Sequence, residues 1–353
     1  MSPPLRFGPS LLENGEVEFH LFARDCQHVD LEIENSGPVR MEAIAPGMFR
    51  ARIKTGTGSR YRFRLPGGVC CPDPASRFQP EGVHGPSEVI DLNRYEWRVP
   101  DWDGVPFQEL ILYELHLGTF TEEGTCASAI HRLDELSELG ITAIEIMPVA
   151  QSAGKRNWGY DGVNLFAPRN TYGRPEDLQA FVDEAHARGI AVILDVVYNH
   201  FGAEGNYLAG FGGYLSKDHT TPWGDAPNLD EAGSDIMRRF LIENIRYWIE
   251  DFRFDGLRID ATHCIADDSE FHFAGEIGRE MKRLEKKLGR TLHLIAESNV
   301  YDPELLVPLQ EGGAGYDALW CDDFIHSVYA VLEPGEHMSD RSYEPGLDLN
   351  MVL

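Results

Sequence analysis

The stretch AVILDVVYNH, at residues 191–200, decides the fold. Its first half is almost entirely apolar, whereas its second half carries Asp195, Asn199 and His200. A strand that is apolar on both faces is buried on both faces, which is typical of a parallel sheet covered by helices. The stretch therefore predicts an α/β protein whose polar residues lie where the strands of its sheet end.

Five further segments repeat this pattern and alternate with amphipathic helices. The strands are ILYELHL (111–117), TAIEIMP (142–148), FDGLRID (254–260), HLIAES (293–298) and DALWCDD (317–323). The clearest helices are residues 129–140 and 174–189, and each ends in glycine, a common helix stop. Because strands that alternate with helices favour βαβ units, we expect residues 96–353 to form an incomplete (β/α)8-type TIM barrel of about six units.

The first 95 residues follow a different period. Apolar and polar side chains alternate around Phe19, Leu31 and Phe63, as in short antiparallel strands with one buried face. Residues 72–86 are rich in proline and glycine, as in an ordered linker. We therefore predict that residues 1–95 form a small β-sandwich, similar to a carbohydrate-binding module, ahead of the barrel.

Charged residues end several of the barrel strands. Arg258 and Asp260 are two residues apart, so they share a strand face, and the guanidinium favours the ionised carboxylate that a nucleophile needs. Glu297 follows apolar residues 294–296, where partial burial would keep it protonated as a general acid. A buried salt bridge is the alternative for each residue taken alone. Together they favour a glycosidase that retains configuration, with carboxyls about 5–5.5 Å apart.

A glycine-rich loop follows the second barrel strand. The segment NWGYDGVNLFAP (157–168) carries Trp158, Tyr160 and Phe166. Aromatic rings stack on the apolar faces of sugars, although packing within the loop is the alternative for each ring. A carbohydrate substrate would suit both this loop and the paired carboxylates.

Composition narrows the classes of partner and compartment. The formal net charge of −27 argues against nucleic acid and anionic membrane surfaces, because both are polyanions. The N-terminal residues show neither a secretory signal nor a transmembrane pattern, so we expect a cytoplasmic location. The six cysteines have no CxxC pair and no framework spacing, which predicts free thiols.

Three motifs carry a family resemblance. In their order and strand context, DVVYNH (195–200), GLRIDATH (256–263) and AESN (296–299) resemble the first three signatures of the α-amylase family of glycoside hydrolases. The resemblance implies that Asp260 is the nucleophile, that Glu297 is the proton donor and that Arg258 orients Asp260. It also implies an α-glucan as partner and neither a metal nor another cofactor for the chemistry.

Longer segments point to one branch of that family. PDPASRFQPEGVHGPSEV (72–89), YELHLGTFTEEGT (113–125) and YNHFGAEGNYL (198–208) resemble the maltooligosyltrehalose trehalohydrolases. The resemblance runs over about residues 6–337 and implies cleavage of the α-1,4 bond next to the terminal trehalose of maltooligosyltrehalose. The substrate-contacting residues that it implies are Tyr160, Asp195, His200, Arg258, His263, Asp322, Asp323 and His326.

Some features depart from the subfamily pattern. Ile325 stands where a second histidine is expected, and AESN replaces the usual Glu-Asn pair. The Asn-His-Asp stretch that supplies the family's third carboxylate does not occur, and the tail beyond His337 no longer resembles the family. We expect a frameshifted or truncated gene, with a deliberately shortened protein as the alternative. A glycogen branching or debranching enzyme and an inactive glucan-binding fragment are the other functions left open.

Overall fold

A computed structural model of the chain describes residues 6–299 and 301–333. Its strands, in chain order, are β1 (Gly8–Leu11), β2 (Val17–Phe22), β3 (Asp30–Ile33), β4 (Val39–Arg40), β5 (Glu42–Ala45), β6 (Met48–Ile53), β7 (Arg60–Arg64), β8 (Cys70–Cys71), β9 (Ser87–Glu88), β10 (Leu112–Leu115), β11 (Ala143–Ile146), β12 (Ala150–Gln151), β13 (Asn164–Pro168), β14 (Ala191–Val196), β15 (Leu215–Thr221), β16 (Gly224–Pro227), β17 (Gly256–Ile259), β18 (His293–Ser298) and β19 (Ala318–Cys321). Its α-helices are α1 (Leu117–Phe120), α2 (Cys126–Ile130), α3 (Leu133–Leu139), α4 (Pro175–His186), α5 (Leu208–Phe211), α6 (Ser234–Arg246), α7 (Phe273–Leu288) and α8 (Asp322–Leu332).

Two antiparallel sheets come first along the chain. One has the strand order β1–β2–β6–β5, and the other has the order β4–β3–β7–β8 with β9 beside β7. The predicted alternation buries Phe19, Leu31 and Phe63 completely. The rings of Phe19 and Tyr61, one from each sheet, meet edge to face with centroids 4.8 Å apart. The apolar faces of the two sheets therefore pack on each other, as facing sheets do in general.

Six parallel strands form the second unit of regular structure, in the order β10–β11–β14–β17–β18–β19. All six predicted barrel strands are present, each within the predicted segment and most of them shorter. Strands β11 and β14 are buried along their whole length, as their apolar sequences predicted. Within the described residues, β10 and β19 each pair with one strand only, which agrees with the expected incomplete TIM barrel.

Some predicted boundaries are wrong by a few residues. The helix expected over 129–140 is divided between α2 and α3, and Gly140 ends α3 in the left-handed conformation with φ 89°. The sixth strand ends at Cys321, so Asp322 and Asp323 begin α8 instead of ending the strand. Carboxylates in a first helical turn are stabilised by the unpaired backbone N–H groups there, which explains why the helix starts at these residues.

One hydrophobic core runs from the N-terminal sheets into the barrel. The ring of Phe240 on α6 meets Phe7, which precedes β1, at 5.3 Å between centroids. On another side it meets Phe166 of β13 at 5.0 Å and Tyr214 at 5.4 Å. The two sheets are therefore packed against the barrel, and α6 is one of the elements that joins them.

All six cysteines are free thiols, as the spacing predicted. The longest described helix, α7, has 16 residues. About 20 apolar residues are needed to cross a bilayer, and no helix in the described ranges has the length and apolar character for this.

Candidate active site

Arg258 holds two carboxylates at the ends of the central strands. Asp195 on β14 is paired in register with Arg258 on β17, so both side chains leave the same face of the sheet. Arg258 Nη1 donates to the two oxygens of Asp195 at 3.0 and 2.9 Å and to Asp260 Oδ1 at 2.9 Å. Although burial opposes it, the charges of Asp195 and Asp260 raise the pKa of Arg258 above its ordinary value. A permanent cation therefore sits between the two carboxylates.

The Asp260 carboxylate has a fixed orientation. Its Oδ2 accepts a hydrogen bond from Asn199 Nδ2 at 3.1 Å, and its backbone carbonyl accepts from the same amide group at 2.8 Å. Its backbone N–H donates to the Val196 carbonyl at 3.0 Å, which extends the β14–β17 pairing past the strand end. The side chain keeps 14% of its surface exposed, so it can reach a bound substrate.

Glu297 is tied to the residue that follows Asp260. Glu297 Oε2 accepts the backbone N–H of Ala261 at 2.7 Å and lies 3.7 Å from Arg258 Nη2. The Glu297 side chain is 19% exposed, which agrees with the predicted partial burial, but a backbone donor and a cation also face it. Ala261 adopts a left-handed conformation with φ 41°, which is strained for a residue with a Cβ. This turn brings the N–H of Ala261 towards β18.

Tyr160 and His200 complete the cluster on the side of β14. The Tyr160 hydroxyl donates to Asp195 Oδ2 at 3.0 Å, and burial raises the pKa of this phenol. His200 Nε2 donates to the Tyr160 carbonyl at 3.0 Å, and its Nδ1 contacts Asn199 Oδ1. The preceding Gly159 has φ 107°, and a Cβ there would lie 2.1 Å from the Pro148 carbonyl oxygen. Glycine is therefore required for the turn that delivers Tyr160.

The aromatic residues near the site differ in how far they are exposed. Phe166 is fully buried in the core, so the prediction that it faces a sugar is wrong. Trp158 is 73% exposed. Trp223, in the turn between β15 and β16, was missed by the sequence argument, yet its ring stacks on His200 at 5.0 Å and is about half exposed. The glycine after Trp223, like those of the 157–168 loop, was a signal that could have drawn attention to it.

The other expected substrate residues lie around Glu297. Strands β18 and β19 are paired so that Ser298 lies beside Cys321, which precedes Asp322, Asp323 and His326 on α8. Asp323 Oδ2 accepts the backbone N–H of Tyr301 at 2.8 Å. The helix start thus places these residues beyond β18, on the side opposite Asp195.

A cleft of about 460 Å³ adjoins the same strand end. His263, which is exposed, lies three residues beyond Asp260 and lines the cleft. Ser298, which directly follows Glu297, also lines the cleft. Other lining side chains are Thr262, Phe271, His272 and Asp302.

Among the described residues, one group of side chains has the composition of a metal site. Ligand atoms of His219, Asp230 and Asp268 lie within 4.8 Å of one another. His219 Nε2 is 2.9 Å from Asp230 Oδ2, and Asp268 is 87% exposed. An ion pair between His219 and Asp230 accounts for this arrangement, and none of the three residues belongs to the carboxylate cluster at the strand ends.

Comparison with known proteins agrees with this geometry. Residues 91–223 match the model of the α-amylase catalytic domain. A malto-oligosyltrehalose trehalohydrolase from Saccharolobus solfataricus is 46% identical over 329 residues, which are 93% of this chain and 57% of that protein. The chain therefore resembles α-amylase family proteins over most of its length. Its strand-end carboxylates lie at the carboxyl ends of the parallel strands, the face at which (β/α) barrels carry their active sites.

Two further proteins are similar to this chain. A crystal structure of a candidate α-amylase from Salmonella typhimurium superposes with a TM-score of 0.88 at 40% identity, covering 94% of this chain and 56% of that one. A 1,4-alpha-glucan branching enzyme from Corynebacterium jeikeium is 29% identical, over 78% of this chain and 43% of that enzyme. The chain spans little more than half the length of the trehalohydrolase and of the Salmonella protein.

Proposed function

We propose that this chain carries the catalytic carboxylates of a retaining α-glucan hydrolase that releases trehalose from maltooligosyltrehalose. The observation that carries the proposal is the joint arrangement at the strand ends. Arg258 binds Asp195 and Asp260, while Glu297 is hydrogen-bonded to the residue after Asp260. The identity with trehalohydrolases supports the substrate, and the scissile bond is the α-1,4 bond beside the terminal trehalose.

The reaction follows from two carboxyl groups with different tasks. Glu297 in its acid form protonates the glycosidic oxygen while Asp260 attacks the anomeric carbon, so that trehalose leaves and a glycosyl ester forms on Asp260. Glu297, now ionised, takes a proton from water, and this water attacks the anomeric carbon and frees Asp260. Arg258 orients the Asp260 carboxylate for the attack through the hydrogen bond from Nη1.

The neighbouring side chains would divide the substrate between two sides. Tyr160, Asp195 and His200 lie with Asp260 and would bind the glucose whose bond is cleaved, with Trp223 as an additional stacking surface. The cleft beside Glu297 would receive the leaving sugar, because the proton donor must stand next to the leaving oxygen. The remaining residues assigned to this side are His263, Asp322, Asp323 and His326.

Two further parts of the proposal concern organisation and compartment. We propose that residues 1–95 form a sandwich module similar to carbohydrate-binding domains, supported by two antiparallel sheets with a shared core. We also propose a cytoplasmic location. Six free thiols support it, because such thiols are typical of a reducing compartment.

Two other functions are tested by product and binding analysis. A branching enzyme would change the branching of a glucan without releasing free trehalose, but the similarity to one is weaker than that to trehalohydrolases. An inactive glucan-binding fragment would bind maltooligosaccharide without turnover. Release of free trehalose from maltotriosyltrehalose, faster than hydrolysis of plain maltopentaose, would support the proposal, and equal rates on both would favour a general amylase.

The assignment of the two carboxylates is tested with Asp260→Asn and Glu297→Gln. Glu297→Gln lacks the acid, but a maltosyl fluoride needs little protonation of its leaving group, so this variant should form a glycosyl ester on Asp260. Asp260→Asn should form none, because the attacking oxygen is lost. Mass spectrometry of the labelled peptides reads the result, with Asp134→Asn as a surface control. A sugar found on Glu297 or Asp195 would show that the roles are assigned wrongly.

A further inference from the structure

Besides the carboxyl groups of Asp195, Asp260 and Glu297, a fourth lies inside the barrel below the active site. Glu145 is on β11, in register with Glu114 of β10 on one side and Ile193 of β14 on the other. Paired residues of parallel strands point to the same face, and Ile193 shares its face with Asp195, two residues further on. Glu145 therefore projects into the barrel interior, one layer beneath Asp195.

The Glu145 carboxyl is completely buried and has no hydrogen-bond partner. Its side chain is 0% exposed, and neither oxygen meets a donor within hydrogen-bonding distance. An ionised carboxylate without donors is costly in such a place, by several kcal/mol, so the group takes up a proton instead. Burial, together with the charge of Asp195, raises the pKa of Glu145 to about 8.

Glu145 faces an equally unusual atom of the catalytic arginine. Arg258 Nε is buried and makes no hydrogen bond, and it lies 3.9 Å from Glu145 Oε1. The other side of the guanidinium binds Asp195 and Asp260 through Nη1. The charged groups that act on Glu145 are Asp195, Arg258 and, from the exposed edge strand, Glu114.

We propose that Glu145 is a positioning residue for Arg258. Because Glu145 occupies the barrel interior as a neutral acid, it does not attract the guanidinium, and Arg258 stays free to pair with Asp195 and Asp260. Loss of the Glu145 proton would create a competing anion at Nε and draw the guanidinium away from the two site carboxylates. The proposal deepens the proposed hydrolase function and rests on it for its catalytic meaning. The contact itself is independent of any activity.

The protonation state is tested directly on the full chain by infrared difference spectra of the unaltered protein minus Glu145→Gln. We expect the C=O band of a protonated carboxylic acid at pH 6, and its loss with a midpoint near pH 8. Glu145→Met, which is also neutral, serves if the glutamine variant does not fold. The exposed neighbour Glu114→Gln is the matched control and should retain the band. A difference spectrum with only a carboxylate band at pH 6 would overturn the proposal.

The positioning role is tested on Arg258 itself. In arginine-labelled protein, the Nε–H signal of Arg258 is assigned by its loss in Arg258→Lys and followed between pH 6 and pH 9. Burial raises the pKa of Asp195 to about 7, so the Arg258 signal can also respond to that carboxyl group in both proteins. A separate shift near pH 8 should appear in the unaltered chain and be absent in Glu145→Gln, because it requires an ionised Glu145 beside Nε. A signal that moves equally in both proteins, or in neither, would overturn the role. Absence of turnover in the unaltered chain would count against the hydrolase function alone.

Discussion

Asp255 gives a sharp test of how the barrel is held together at the end opposite to the active site. It precedes β17, is completely buried and accepts four hydrogen bonds. Trp102 Nε1 and Arg290 Nη1 donate to Oδ1 at 2.7 Å each, and His186 Nε2 at 2.7 Å and the Val192 N–H at 2.8 Å donate to Oδ2. One carboxylate thus joins the segment before β10, α4, β14 and the loop before β18.

Replacing Asp255 by alanine should lower the free energy of unfolding by about 3–5 kcal/mol, because it leaves a buried cation and three further donors without an acceptor. With a urea m value of about 3 kcal/mol per M, a loss of about 4 kcal/mol lowers the unfolding midpoint by about 1.3 M. Circular dichroism and tryptophan fluorescence, recorded together, measure the midpoint.

The matched control is Asp134→Ala. Asp134 also pairs with an arginine, Arg188, at 2.6 Å, but its side chain is 72% exposed. An exposed pair contributes at most about 1 kcal/mol, so the control should change the midpoint little. If Asp255→Ala cost no more than Asp134→Ala, the reasoning about the buried cluster would be refuted.

The same cluster predicts a response to acid. Burial alone would raise the pKa of Asp255, but His186, Arg290 and the Val192 N–H together hold it below its ordinary value. A depressed carboxyl pKa means that the stabilisation is present above the unfolded-state pKa of about 3.9 and is lost as pH falls below it. The unaltered chain should therefore lose more stability between pH 5 and pH 3 than Asp255→Ala, as read from urea midpoints at each pH.

Three further predictions follow from other features. Gly159→Ala should destabilise the chain by more than about 2 kcal/mol, since the added Cβ would overlap the Pro148 carbonyl. Gly154→Ala, where no atom lies within 4 Å of the added Cβ, should cost about 1 kcal/mol, and thermal melting curves of the two variants compare these losses. Ala261→Gly should raise the free energy of unfolding by about 0.5–1 kcal/mol by relieving the left-handed strain, and a loss instead would show that the methyl group packs usefully. Within the described ranges β10 pairs with one strand only, so the chain should self-associate through this edge, and Leu112→Lys, at a 37% exposed site on β10, should increase the monomer fraction in sedimentation velocity.

The sequence predicted the parts of the fold that depend on local pattern. The six barrel strands followed from continuous apolar runs, and the contact of Arg258 with Asp260 followed from a spacing of two on one strand. Strand and helix ends were less predictable. Asp322 could end a strand or begin a helix, and the helix was chosen because carboxylates stabilise a first turn.

The features that the sequence did not predict depend on long-range packing or on backbone geometry. Trp223 reaches His200 only because the β15–β16 hairpin folds over the strand ends. The polar surroundings of Glu297 come from a left-handed turn at Ala261, and an alanine in the sequence does not predict that conformation. Glu145 was visible as a charged residue in an apolar strand, but its lack of donors is a property of the packed interior.

The turn at Ala261 also limits how the carboxyl groups of Asp260 and Glu297 can move. A single peptide unit separates Asp260 from the N–H that holds Glu297. The proposed nucleophile and the proposed acid therefore depend on the position of the same peptide, and a displacement of this peptide changes the orientation of both carboxyl groups. Substitutions that shift the turn should alter formation and breakdown of the glycosyl ester in parallel, so the rates of the two half-reactions cannot be tuned separately through this segment.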